Sequence, residues 1–233
     1  MFPGQCINNA PSVYNNTGPC LFHDPIFILG GESMKKLVTL FLVCLMCLTF
    51  SASSLAATIY WDFIADGELD YLGEEDLSGH IIGIDFPTNN YKISFEYLSG
   101  SVDIGPFDVD LNQIELKGGY RVANGLYVNL AMIDGELEDE ASYDGVMLGL
   151  DLATKLSKEL LLEGSVAMSL TGSMDYDYYG ELDADFLSLK GKCTYFFANN
   201  LGASIGYRKT IIEDEDDYEI TTSGMTLGVT YSF

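Results

Sequence analysis

Ser78 and His80 lie two residues apart in "LSGHIIGIDF". In an extended segment that spacing puts both side chains on one face. A hydroxyl within reach of an imidazole is the start of nucleophile–base chemistry. The imidazole's second nitrogen then needs an orienting acid, and no spacing in the chain identifies one. The same face carries Ile82, Ile84 and Phe86, which equally suits an interfacial histidine beside a strand-start serine. Cys193 is the single cysteine beyond residue 56. It shares a stripe with Leu187, Leu189 and Tyr195 and reads as a small buried hydrophobe, neither metal ligand nor redox group.

Most charged residues beyond residue 56 fall into two sets. The first alternates with apolar residues inside regular segments: Lys92, Lys117, Arg121, Lys190, Lys192 and Arg208, with Asp62, Asp85, Glu96, Glu115, Asp151 and Glu163. Six cations against six anions is a balance that the rest of the chain lacks. Balance of that kind is expected where charges are confined together and an unpaired one is costly. The second set is acidic only. It clusters at about 66–76, 102–111, 136–144, 171–182 and 212–220, in stretches such as "DVD", "DYD" and "EDEDDYE". Oxygen-rich clusters suit weak Ca²⁺ binding, Asp214 to Asp217 above all, but none has the glycine and closing glutamate of an EF-hand loop. No dedicated metal site or cofactor is expected; a solvated acidic coat is the simpler reading.

Elements of period two must position these residues. "NQIELKGGYRV" puts Ile114, Leu116, Tyr120 and Val122 on one face and Gln113, Glu115, Lys117 and Arg121 on the other. "YKISFEYL" repeats the pattern. Ten such segments run at about 57–66, 77–87, 91–101, 112–122, 125–135, 145–156, 159–170, 183–196, 200–211 and 221–233. Each has roughly the length that a tilted strand needs to cross a bilayer. Four short Asn-, Gly-, Pro- or Ser-containing connections alternate with the five acidic ones, which the spacing predicts as long loops. The expected fold is all-β: an antiparallel up-and-down transmembrane barrel of ten strands, or eight if the 57–66 segment or a weak hairpin does not span. A soluble sandwich or barrel would place the apolar faces inside and would not need balanced charge on the polar faces.

Composition agrees. The 233 residues are 48% hydrophobic, with 24 Gly, 15 Tyr and 13 Phe but 6 Pro, a β-rich mixture. A net charge of -24, from 35 acids against 11 Lys plus Arg, excludes a nucleic-acid footprint. From Met34 the chain reads as a signal peptide: Lys35 and Lys36, an apolar run from Leu37 to Phe50, and a cleavage site after Ala56. Residues 1–33 are expected to be an untranslated or disordered extension from a misassigned start, because Gly30-Gly31-Glu32 can be encoded as a ribosome-binding sequence just before Met34. Residues 57–233 form the barrel.

The ending "GMTLGVTYSF" places Met225, Leu227, Val229, Tyr231 and Phe233 on one face. It resembles the terminal strand of small bacterial outer-membrane barrels of the OmpA/OmpX type, in which that signal is read by the barrel-assembly machinery. The resemblance implies a Gram-negative outer-membrane location with both termini periplasmic. It also implies outer-membrane lipid and the assembly machinery as partners. The chain departs from the type in counting ten strands and carrying no peptidoglycan-binding domain. Phe86, Tyr91, Tyr120, Tyr195, Phe197, Tyr231 and Phe233 lie near short turns or the terminus, where an interfacial girdle belongs. The functional expectation is a non-enzymatic surface or structural barrel with a charge-plugged lumen and acidic external loops. The alternatives are a narrow ion or small-solute pore and a lipid A-modifying enzyme using Ser78 and His80. In lipid A deacylases the histidine precedes the serine, the reverse of the order here. Omptin-like proteases need a loop histidine that this chain lacks.

Overall fold

A computed structural model describes residues 57–70, 73–104, 107–138, 141–176, 180–215 and 218–233. The signal segment and the extension before it lie outside the described residues. The described chain is a closed barrel of ten antiparallel strands: β1 (Thr58–Asp70), β2 (Glu74–Pro87), β3 (Tyr91–Ile104), β4 (Phe107–Ala123), β5 (Leu126–Leu137), β6 (Ala141–Lys155), β7 (Leu160–Tyr176), β8 (Gly180–Phe196), β9 (Leu201–Asp214) and β10 (Glu219–Ser232). Consecutive strands pair throughout, and β1 closes on β10 from Thr58↔Ser232 to Asp70↔Thr221. Every edge is therefore paired, as a barrel requires.

The short connections lie where the alternation ends. Gly125 turns with a φ of 73°, a left-handed conformation natural to glycine. Thr88 caps the β2–β3 turn by exchanging hydrogen bonds with Tyr91. At the opposite end the structure corrects an expectation. The five acidic stretches are not long loops but continuations of the strands. Pairing runs on to Asp103↔Asp108 and Ile104↔Phe107 between β3 and β4, to Leu137↔Ala141 between β5 and β6, and to Glu213↔Glu219 between β9 and β10.

The reason is a reversal of faces. In the half nearer the short turns the outward residues are apolar: Trp61, Phe63, Leu130, Leu148, Met168 and Leu227 are between 43 and 62% exposed. Toward the hairpin end the acids take over the outer face. Along β5 the outward series runs Val128, Leu130, Met132, then Asp134 and Glu136, while the inward series runs from Asn129 to Ile133 and Leu137. The inward side there is an apolar core of Leu69, Val102, Ile133, Leu137, Met147, Met174, Phe186 and Ile212, none more than 2% exposed. In β1 and β7 a bulge marks the change, with the register shifting between Ile64 and Asp66 and between Met168 and Ser173. One extra residue in a strand resets which parity faces inward. One barrel thus has an inside-out half and a half packed like a soluble barrel.

Candidate functional site

In the inside-out half the bore holds the charged side chains. Tyr60 and Asp62 of β1 project inward beside Glu96 of β3, Glu115 and Lys117 of β4, Asp151 of β6, Glu163 and Ser165 of β7, Lys190 and Lys192 of β8 and Arg208 of β9. Tyr60 and Asp62 find room because their neighbours are glycines. A Cβ on Gly83 would meet the Tyr60 ring, and one on Gly228 would meet the Asp62 carboxylate.

Two clusters form. In the first, Glu96 accepts from Lys190 Nζ at 2.8 Å, Arg208 Nη1 at 2.9 Å and the Tyr60 hydroxyl at 3.0 Å. Lys190 also donates to Glu115 at 2.7 Å, and Glu115 pairs with Lys117 at 3.3 Å. Lys117 continues to Asp151 at 3.3 Å and Ser165 Oγ at 3.0 Å, and Ser165 donates to Asp151 at 2.6 Å. In the second, Lys192 donates to Asp62 at 2.8 Å and lies 3.9 Å from the centroid of the Tyr60 ring, a cation–π contact. Ser204 Oγ donates to the other Asp62 oxygen at 2.9 Å. Nearer the short turns Lys92 pairs with Asp85 at 3.1 Å and lies 4.0 Å from Glu163.

Charges from β1, β3, β4, β6, β8 and β9 are thereby tied across the bore. On the hairpin side Tyr143 donates to Gln113 at 2.9 Å, and above that the apolar core fills the interior. On the short-turn side a cavity of about 400 Å³ remains, bounded by Lys92, Lys155, Glu163, Lys192, Phe196 and others.

Eleven of the twelve charges expected to face the bore meet in these contacts. Arg121 does not: it lies half-buried at the short-turn rim, donating to Asn124 Oδ1 at 2.6 Å and to the carbonyls of Ala123 and Asn89. It lies near the end of β4, where the turn carbonyls are closer than the network. Sequence reasoning missed Tyr60, Ser165 and Ser204. Tyr60 stands two residues from Asp62 and Ser165 two residues from Glu163, a signal of shared face; which charge each serine meets depends on cross-bore register.

Ser78 and His80 point outward at the upper edge of the apolar belt, paired across to Ser101 and to Phe63 and Ser99 respectively. Among the described residues no hydrogen bond or ion pair joins His80 to Ser78 or to an acid. Cys193 is outward, a free thiol. Tyr91, Tyr120, Tyr195, Phe197, Tyr231 and Phe233 are all exposed, Tyr91 with Tyr120 and Tyr231 with Phe233 in tilted and edge-on ring contacts. Met225, Leu227, Val229, Tyr231 and Phe233 share the outer face, as the alternation predicts. Of the acidic stretch Asp214 to Asp217, Asp216 and Asp217 lie outside the described residues. Asp214 turns inward, 4% exposed, and accepts from the Tyr176 hydroxyl at 2.8 Å. Among the described residues no three His, Cys, Asp or Glu side chains converge as metal ligands.

No family model and no curated protein matches the chain. Solved structures resemble it in fold. Neisserial surface protein A aligns at 13% identity and TM-score 0.41, over 77% of this chain and 97% of that one. The outer membrane protease OmpT from Escherichia coli aligns at 9% and 0.41, over 77% and 94%. Ail, the attachment invasion locus protein of Yersinia pestis, aligns at 11% and 0.38, over 77% and 99%.

Proposed function

We propose that this chain is an integral outer-membrane barrel that seals its own bore and acts as a non-enzymatic surface or structural protein. The observation that carries the reading is the reversal of faces along the strands. Apolar outward residues with paired charges inside suit a lipid-embedded wall. Acidic outward residues over an apolar core suit a wall that stands in water. The short turns and the ends of β1 and β10 would lie on the periplasmic side, consistent with an exported chain folded by the barrel-assembly machinery. The acidic end would project from the cell as paired strands, not as mobile loops, because its backbone hydrogen bonds are satisfied in the ladder.

A bore blocked first by bridging ion pairs and then by a dry core leaves no continuous aqueous path. Ser78 and His80 give no support to the enzymatic alternative, since neither has the contact that activation needs. The test is a pair of measurements on refolded protein: heat-modifiable gel mobility to report the folded barrel, and planar-bilayer recording. Silent, folded protein in outer-membrane fractions is the expected result. Steady conductance would overturn the sealed bore, and a soluble periplasmic protein would overturn the membrane reading.

A further inference from the structure

The cavity below the ion-pair layer is lined by two charges that the network holds only loosely or not at all. Asp62, Asp85, Glu96, Glu115 and Asp151 each have a lysine nitrogen within 3.3 Å. Glu163 does not. Among the described residues its one ion pair is with Lys92, 4.0 Å away and engaged more closely by Asp85 at 3.1 Å. The Glu163 side chain is also the most exposed of the ion-paired acids, at 27% against 5 to 15%. Lys155 lines the same cavity and has no ion pair among the described residues.

These two are neighbours. Lys155 of β6 is paired across to Leu161 of β7 and Ala153 to Glu163, so Lys155 and Glu163 are diagonal partners on one inner wall, roughly 7–8 Å apart at the backbone. They nonetheless make no ion pair. Leu161 and Phe196 add apolar surface beside them. The space, about 400 Å³, falls in the lower range of small-molecule sites.

We infer that this vestibule binds a small zwitterionic amino compound, an amino acid or short peptide, entering from the short-turn end. Its ammonium donates to the Glu163 carboxylate and its carboxylate accepts from Lys155 Nζ, while its body lies against Leu161 and Phe196. A simple anion would leave Glu163 with only its long contact to Lys92, and a simple cation would leave Lys155 without a partner; a dipolar molecule satisfies both. Partial burial strengthens the Glu163 contact relative to water, while Lys155, exposed at the rim, supplies the weaker one. Because the opposite end is filled by the apolar core, the ligand is held and not passed through. The inference rests on the sealed-bore reading for that last point only.

The experiment is calorimetric titration of refolded full chain in micelles with L-phenylalanine and glycylglycine, against acetate and methylamine as single-charge controls. Saturable zwitterion binding is expected, with the controls weaker by roughly tenfold or more. Glu163→Gln and Lys155→Met should each weaken the zwitterion by a similar factor while the barrel keeps its heat-modifiable mobility. Lys155 lies at the rim, so its variant retains the fold even if Glu163→Gln does not. Absence of saturable heat from folded wild-type protein would sink the site. So would equal affinity for acetate, or affinity unchanged in Lys155→Met. Bilayer recording on the same samples separates the two ideas, since a silent barrel without binding leaves the sealed bore intact.

Discussion

Glu96 and Glu115 stand directly opposite each other on β3 and β4, and one ammonium, that of Lys190, bonds both at 2.8 and 2.7 Å. Like charges facing across a ladder repel, so the pair persists because β8 delivers a cation between them. Lys190→Met would leave two largely buried carboxylates, the one shared with Arg208 and the other with Lys117. Removing one partner of a buried pair costs about 3–5 kcal/mol when it leaves the other charge unpaired; because Arg208 and Lys117 remain, the cost here falls below that. The expected outcome is a marked fall in the thermal midpoint of refolded protein. Adding Glu115→Gln to the same background should recover part of that loss, because it removes one of the two facing like charges that Lys190 held together. A Lys190→Met protein that melts like wild type would mean that the network contributes little.

Glycines inside the bore make a sharper contrast. A Cβ at Gly83 would collide with the Tyr60 ring, and one at Gly228 with the Asp62 carboxylate; around Gly118 and Gly191, on the outer face, nothing lies within 4 Å. Gly83→Ala and Gly228→Ala should each cost about 1–3 kcal/mol through overpacking. Gly118→Ala and Gly191→Ala should stay within about 0.5 kcal/mol of wild type. Urea unfolding midpoints of the four variants check this, and uniform costs would show that the bore is loose enough to yield.

Much of this architecture was legible in the residues. Period-two alternation located ten strands, and the opposite-face rule placed eleven of the twelve bore charges where they meet. The acidic stretches were misread as loops for a physical reason. In "DGELD" the apolar residue Leu69 faces inward while its flanking acids face out, so the apolar stripe leaves the face it had followed from Ile59 to Phe63. The bulge after Ile64 hides the change further by altering parity. Which lysine meets which acid could not be read at all. The contact between Lys190 and Glu96 depends on shear around the barrel, a property of the closed sheet and not of either segment.

Asp134 and Asp144 face each other on the outer surface beyond Met132, above the apolar belt. Partial burial, then Asp144 and Glu136, pushes the Asp134 carboxyl above its usual range. The folded state therefore binds that proton more tightly than the unfolded chain does. The group's stabilising contribution is complete below the ordinary aspartate value, about 3.9, and is lost as pH rises through the raised value. Asp144→Asn should thus stabilise the protein at pH 7 by a few tenths to about 1 kcal/mol, reduced by solvent and salt because the site is half exposed. At about pH 3.5, below the ordinary carboxylate value, the difference should disappear. Midpoints measured at both pH values decide; a benefit independent of pH would point to some cause other than charge.

Reversal of faces along β5 predicts three chemical environments within seven residues. Leu130 is outward in the apolar belt, Ile133 is inward and 2% exposed, and Glu136 is outward beyond the belt. Cysteines placed singly at these positions, in residues 57–233 with Cys193→Ser to remove the one thiol of that segment, should react differently in lipid vesicles. Glu136→Cys should label rapidly with a charged, membrane-impermeant maleimide. Leu130→Cys should resist that reagent and react with a lipid-soluble one. Ile133→Cys should resist both, because its neighbours are buried apolar core residues, and an apolar interior stays dry. A conventional water-filled lumen makes a different prediction, with Ile133→Cys open to the small charged reagent from one side. Labelling of Ile133→Cys at a rate near that of Glu136→Cys, in protein that still shows heat-modifiable mobility, would mean that the hairpin end is wet. The seal would then have to come from the ion pairs alone, and conductance should appear once Lys190 is removed.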